Sequence, residues 1–337
     1  MVQTAEKGTL SERVRKEKEE LLSTPAQIDV ERLKFLLEAY RETEMQPTVM
    51  RRAKLFHRIC SEKTIYIDDN PIVGTLTKYK YGAYPFPEEG CRWMKRVEEV
   101  SLQRGRAPVT PEVREWVDKA VEYWKDSNVF NAAQQIILQS RNVDIGTLSK
   151  CGVGLELAAG GTQLVVPDYF KVLNKGLRGI MAEIEEEEAK FDIGEPGGLD
   201  KWYFYQASRL VLNGMMVLAQ RYAALAREMA RNGGSPERKQ ELEKIAETCE
   251  WVPANPARNF YEAAQSFWFT MLGVWIERPL PLNSPPVNFP QYMYPFYKKD
   301  KEENRLTDEE VIELIQFLFL RMNHFACLMP PHGYTWQ

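Results

Sequence analysis

Apolar residues recur at steps of three and four along most of this chain, and that spacing predicts helices. In VERLKFLLEAYRETE, opened by Asp29, the residues Val30, Leu33, Leu36, Leu37 and Tyr40 share one face. A charged helix, SERVRKEKEELL, precedes it with Ser11 as cap, and TVMRRAKLFHRICSE follows Pro47. Thr110-Pro111 joins a hydroxyl cap to a proline at the first helical position and predicts a helix to about Lys125. A long helix over about 199–231 has Leu210, Gly214, Met215, Leu218, Tyr222, Leu225 and Met229 as its stripe. Asn232-Gly233-Gly234 should close it in a left-handed cap. Ser235-Pro236 and Asn259 start two more helices, and Thr307 with Glu310 forms a capping box before VIELIQFLFLRMNHF.

The helical period fails in four places. TIYIDDNPIVGTL predicts two short strands or extended segments around a turn at Asp69-Asn70-Pro71. TKYKYGAYPFPEEG predicts an ordered loop. Residues 141–166 hold five glycines and form the best candidate for a pocket-lining loop. Their GVGLELAAGG resembles a phosphate loop only loosely, lacking GxGxxG and a GK[ST] ending. LPLNSPPVNFPQYMYPFY carries five prolines and should not form regular helix. The acidic run at 183–188 reads as a solvated helix face. The expected organisation is one continuous α-rich body with few strands, a single domain over 1–337.

Composition narrows the function classes. With 44% hydrophobic and 27% charged residues the chain is globular rather than disordered. A net charge of −4 without a basic block argues against a nucleic-acid partner. The N-terminus has no apolar signal core, and the longest nearly apolar run, 263–276, is too short to span a bilayer. A cytoplasmic protein with no membrane partner is expected. The five cysteines, Cys60, Cys91, Cys151, Cys249 and Cys327, are odd in number and include no CxxC, so they read as free, inert thiols. His324, Cys327 and His332 have no second ligand pair to complete a metal site, and His57 reads as structural. Neither a GxSxG nor a dinucleotide fingerprint is present.

Five segments, in order, resemble the glycyl radical enzyme family of the pyruvate formate-lyase type. They are ERLKFLLEAYRETEMQPTVMRRAKLFHRI, TIYIDDNPIVG, VVPDYFKVLNKGLRGI, ERKQELEKIAETCEWVPANPARNFYEAAQSFWF and FPQYMYPFYKKDKEENRLTDEEVIELIQFLFLRM. The resemblance covers roughly residues 28–322. It implies a helix-rich α/β fold, the N-terminal portion of a ten-stranded barrel surrounded by helices. It also implies a glycyl radical installed by a radical S-adenosylmethionine activating enzyme, a thiyl cysteine, a small-molecule substrate and a homodimer at full length.

The chain departs from the family pattern at its chemistry. Gly90-Cys91-Arg92-Trp93 lies too early for the cysteine loop and lacks its glutamate, and no Arg-Val-x-Gly-Tyr loop occurs. No catalytic or cofactor-binding residue is carried over. The polypeptide is expected to be inactive alone, needing the remainder of the barrel or a partner chain. The alternative is a complete, non-catalytic helical subunit docking to a partner that carries those loops. Substrate contacts are expected from Gln163 and Leu164, where diol-dehydrating members tend to have Gly-His, and from Ser284, Asn288 and Gln291 in the later loop. Loss of that histidine argues against small-diol dehydration. LDKWYFYQA, WIER and EYWK lean toward the arylacetate decarboxylase or hydrocarbon-succinate synthase branches, and Leu164 would suit an apolar substrate.

Overall fold

The computed structural model describes residues 10–88, 90–99, 107–129, 131–132, 135–136, 165–278, 287–326 and 328. The early helices follow their capping signals. Helix α1 (Glu12–Ser23) begins where the Ser11 hydroxyl accepts from Val14 N, and α3 (Thr48–Glu62) starts directly after Pro47. Helix α2 (Glu31–Glu42) starts one residue later than Asp29 suggested: Val30 is its cap residue, while the Asp29 carboxylate accepts from Glu31 N and Lys78 N. Thr110 caps α4 (Pro111–Trp124), and Asp168 caps α5 (Tyr169–Glu188).

Helix α6 (Gly198–Asn232) is 35 residues long, about 52 Å. Gly233 ends it at φ 146°, ψ −170°, which is not the left-handed helical cap expected. Ser235 caps α7 (Pro236–Trp251) and Asn259 caps α8 (Phe260–Glu277). The last helix, α10 (Asp308–Met322), begins with the complete Thr307–Glu310 capping box. The acidic run at 183–188 is half-buried to exposed, with Glu183 paired to Lys171 and Lys175 and Glu188 to Arg209.

The proline-rich segment corrects the sequence reading, because Phe289–Glu302 is helix α9. Pro290 sits in its first turn, where an amide is unsatisfied anyway. Pro295 is exposed, so water can reach the carbonyl its missing amide leaves free. Phe289 and Met293, four apart, fix the buried face.

Helix α8 is apolar nearly all round and forms the axis of the core, with Phe267, Phe269, Met271 and Leu272 fully buried. Against it runs the segment after Lys63. It is extended but joins no ladder, and residues 70–77 are buried. Its backbone is satisfied by side chains instead. Gln265 accepts from Val73 N at 2.9 Å and donates to Val73 O at 2.7 Å. Trp268 donates to Gly74 O, Tyr261 to Pro71 O, and the Tyr222 hydroxyl accepts from Thr75 N. A Cβ at Gly74, which sits at φ +122°, would lie 2.8 Å from the Trp268 indole nitrogen, so the position needs glycine.

Strand pairing falls where an ordered loop was expected. Strand β1 (Gln27–Ile28) pairs in parallel with β2 (Gly82–Ala83), and Gly82 bridges in parallel to Phe325. These three extended segments lie side by side in the order β1, β2, 325.

Candidate functional site

Helix α8 is positioned by buried charges at both ends. At its N-terminus the Asp300 carboxylate, 2% exposed, accepts from Phe260 N at 2.7 Å. At its C-terminus the Arg32 guanidinium, 1% exposed, donates to Ile276 O and Glu277 O. An anion at the first turn and a cation at the last both complement the helix dipole. Arg32 is in turn paired with buried Glu88, and Arg52 with Glu277, its Nε donating at 2.6 Å. Burial opposes ionisation of Glu88, but the Arg32 charge outweighs it and holds the carboxyl below its ordinary range.

A cavity of about 770 Å³ opens beside that C-terminal end. Helical spacing explains its walls. Val49, Ala53 and Phe56 come from one face of α3, and Ala207, Val211 and Met215 from one face of α6. Ile180 and Ile184 of α5 and Gly273 and Val274 of α8 add to the lining, which is mostly apolar. Its polar groups are few: Arg52, Glu277 and Arg278, with the Ser208 and Thr270 hydroxyls. A Cβ at Gly273 would lie 2.9 Å from Met215 Sδ, so glycine lets α8 approach α6 here.

A residue close in sequence to each of the stretches from which substrate contacts were expected lines the cavity. Val165, the residue after Leu164, lines it, and so does Arg278, at the end of α8. Gln163, Leu164 and Ser284 lie outside the described residues. Asn288 and Gln291 are exposed in and before the first turn of α9, where Asn288 adopts φ 58° and its carbonyl accepts from Gln291 N; neither lines this cavity.

A second polar cluster was not legible in sequence. Glu17, Asp68 and His324 bring ligand-type atoms within 4.8 Å of one another. Their hydrogen bonds show a closed ionic network rather than a metal centre. Arg321 Nη1 can only donate, so His324 Nδ1 accepts it at 3.1 Å and the ring proton sits on Nε2. That proton goes to Glu17 at 2.8 Å, while Lys80 takes the other Glu17 oxygen at 3.0 Å. Arg321 also engages both Asp68 oxygens and Ile72 O. A divalent ion would have to expel two cations already in place. Burial and the neighbouring Arg321 charge hold the His324 pKa below its ordinary value. Burial raises the carboxyl pKa values of Glu17 and Asp68, but their hydrogen-bonded and charged partners outweigh it and lower both.

The thiols offer no nucleophile among the described residues. Cys60, Cys91 and Cys249 are free and buried, and burial pushes Cys60 up to about 12 and raises the other two. Cys151 and Cys327 lie outside the described residues. His57 is structural as expected, its Nε2 3.0 Å from Asn213 Oδ1. Among the described residues no helix is long and apolar enough to cross a membrane.

A buried helical axis, a side-chain-clamped extended segment and the beginnings of a parallel sheet define a helix-wrapped α/β fold of the glycyl radical enzyme kind. A solved glycyl radical enzyme from Archaeoglobus fulgidus superposes with TM-score 0.82 at 28% identity, over 93% of this chain and 40% of that one. A structure concerned with 1,2-propanediol dehydration in Roseburia inulinivorans gives TM-score 0.86 at 29% identity, over 96% and 41%. The profile of the pyruvate formate lyase-like family matches residues 6–335, and the chain belongs to that family. Isethionate sulfite-lyase of Oleidesulfovibrio alaskensis is 34% identical over 312 residues, 89% of this chain and 38% of the relative. The chain thus spans about two fifths of the length of these relatives.

Proposed function

We propose that this chain forms one wall of the substrate chamber of a glycyl radical lyase that cleaves a carbon–carbon or carbon–heteroatom bond in a small molecule with an apolar body. The observation that carries the reading is the apolar cavity lined by Val165, the residue after Leu164, and by Arg278, six residues before Ser284 in sequence. Gln163, Leu164 and Ser284 are the proposed contacts at this cavity, and Asn288 and Gln291, which do not line it, are proposed to meet a part of the substrate that extends beyond it. An apolar wall suits an aromatic or hydrocarbon substrate, because a hydroxylated one would leave its polar groups unpaired there. The radical glycine, the thiyl cysteine and the activating enzyme are supplied outside the sequence motifs present here, so the chain alone is inactive in this reading.

A second reading is carbon–sulfur cleavage in a small sulfonate, favoured by the 34% identity to isethionate sulfite-lyase. Calorimetric titration of the chain with phenylacetate, toluene, isethionate and 1,2-propanediol separates the two. Phenylacetate or toluene should bind, and Ala207→Trp, which fills the cavity, should abolish that binding. Tighter binding of isethionate or propanediol that Ala207→Trp leaves unchanged would remove the apolar-substrate reading.

A further inference from the structure

A groove of about 610 Å³ lies between α7 and α10, away from the lyase cavity. Its floor is apolar, with Tyr261, Leu314 and Phe317 buried and Leu306 packed on the core. Its walls carry a surplus of negative charge: Glu237, Glu241, Glu243 and Glu247 from α7 and Glu310 and Glu313 from α10, against Arg13 and Lys244. On α7 the positions 237, 241, 244 and 247 follow helical spacing, so the groove runs for about 15 Å, close to three helical turns.

One end already holds a cation delivered by another helix. Arg13 of α1 lies 5.1 Å over the Phe317 ring and 2.7 Å from Glu241. This places a guanidinium on the aromatic floor with its charge met by the wall, an arrangement attractive on both counts. Further along, Glu247 and Glu313 form no ion pair among the described residues, while Glu243 is committed to Arg227 and Glu310 to its capping box. The carboxylates do not converge on a point: among the described residues the group close enough to hold a metal is Glu17, Asp68 and His324, outside the groove. The negative charge is spread along an apolar trough, which matches a row of cations on an apolar body rather than one ion.

We propose that this groove docks a basic amphipathic helix of a partner protein, its Arg or Lys side chains on Glu247 and Glu313 and its apolar face on Leu306 and Leu314. The proposal is independent of the lyase reading. The test uses the 337-residue chain and a fluorescein-labelled synthetic peptide of about twelve residues, long enough for three turns, with Leu and Arg at helical spacing. A peptide of the same composition in scrambled order is the reference, read by fluorescence anisotropy. The ordered peptide should bind roughly tenfold more tightly than the scrambled one, and added salt should weaken it. An exposed ion pair is worth a factor of about 1.5 to 5, so Glu247→Gln with Glu313→Gln should weaken the ordered peptide roughly 2- to 25-fold. Glu185→Gln with Glu186→Gln on α5 should leave it unchanged. Equal binding of ordered and scrambled peptides, or no loss in the groove variant, would overturn the proposal. So would spermidine displacing the peptide at equal concentration, or self-association of the chain that the groove variant abolishes; these outcomes assign the groove to a small polycation or to a second copy.

Discussion

Replacing Gly176 by alanine should be among the most damaging single-methyl additions to this fold. Gly176 interrupts α5 at φ 67°, ψ 170°, a region open essentially to glycine. The strain alone costs about 1–3 kcal/mol. There is also no room: the new Cβ would lie 2.5 Å from the Asn255 carbonyl carbon and 2.6 Å from Ala254 O, both backbone atoms that cannot rotate away. To make space, the 253–257 segment must retreat, stretching three backbone bonds: Leu177 N to Pro253 O at 2.8 Å, Arg178 N to Ala254 O at 3.0 Å and Ala257 N to Leu173 O at 2.9 Å. Losing even one or two of these adds about 1–3 kcal/mol, for a total of about 2–6 kcal/mol. Gly197→Ala provides the internal reference, since Gly197 also has positive φ, 80°, yet nothing lies within 4 Å of its Cβ position. That variant carries the conformational cost alone, about 1–2 kcal/mol. Urea unfolding followed by far-ultraviolet circular dichroism measures both. Equal losses in the two variants would refute the close-approach argument and leave backbone strain as the whole effect.

Two further expectations concern buried charge. Glu88→Ala should cost about 3–5 kcal/mol, because it leaves the Arg32 guanidinium buried and unpaired; adding Arg32→Met should recover part of the loss in the same urea assay, and a double variant no more stable than the single one would count against this account. For His324, the folded-state pKa lies below the ordinary 6.5, so the unfolded chain binds more protons below that pH. Its stabilising contribution is therefore complete above about pH 6.5 and lost as pH falls through the folded value, with the lowered carboxyl values of Glu17 and Asp68 adding the same sign of slope below about 4.5 and 3.8. His324→Gln should flatten the decline in stability between pH 6.5 and 5, and an unchanged slope there would show that other groups carry it.

The helix starts were legible because their causes are local. Ser11, Thr110, Ser235, Asn259 and Thr307 each accept from an amide three residues ahead, a relation contained in a four-residue window. The prolines of α9 misled because residue type alone does not say which carbonyl faces water. The segment 70–77 was beyond reach for a different reason. Its hydrogen-bond partners Gln265, Trp268 and Tyr222 lie about 150–190 residues away. Arg32, Glu88, Lys63 and Arg321 resemble surface charges in sequence, yet each is buried, and burial lowers the Lys63 pKa to about 8 despite its bonds to Thr64 O and Thr75 O. Of the candidate site, the sequence indicated the two loops by composition, but the apolar cavity depends on four helix faces converging. No one of those faces differs from an ordinary core stripe.

Those buried charges bear on how a radical enzyme of this family would hold its chamber. Radical intermediates need walls that exclude water and do not drift. Apolar packing alone resists sliding of a helix weakly, because one aliphatic side chain can replace another in a neighbouring hole. Helix α8 is built against that. A shift of one residue, about 1.5 Å along its axis, would have to break the Asp300 bond to Phe260 N at one end and the Arg32 bonds to Ile276 O and Glu277 O at the other. It would also misplace Gln265, whose amide holds both polar groups of Val73. Each rupture leaves a buried polar group unpaired, at about 1–3 kcal/mol or more for the charged ones. The register of α8 is thus set by polar contacts, and with it the position of Arg278 at the cavity rim. The aliphatic lining can then remain smooth, since it does not have to hold the helix in place.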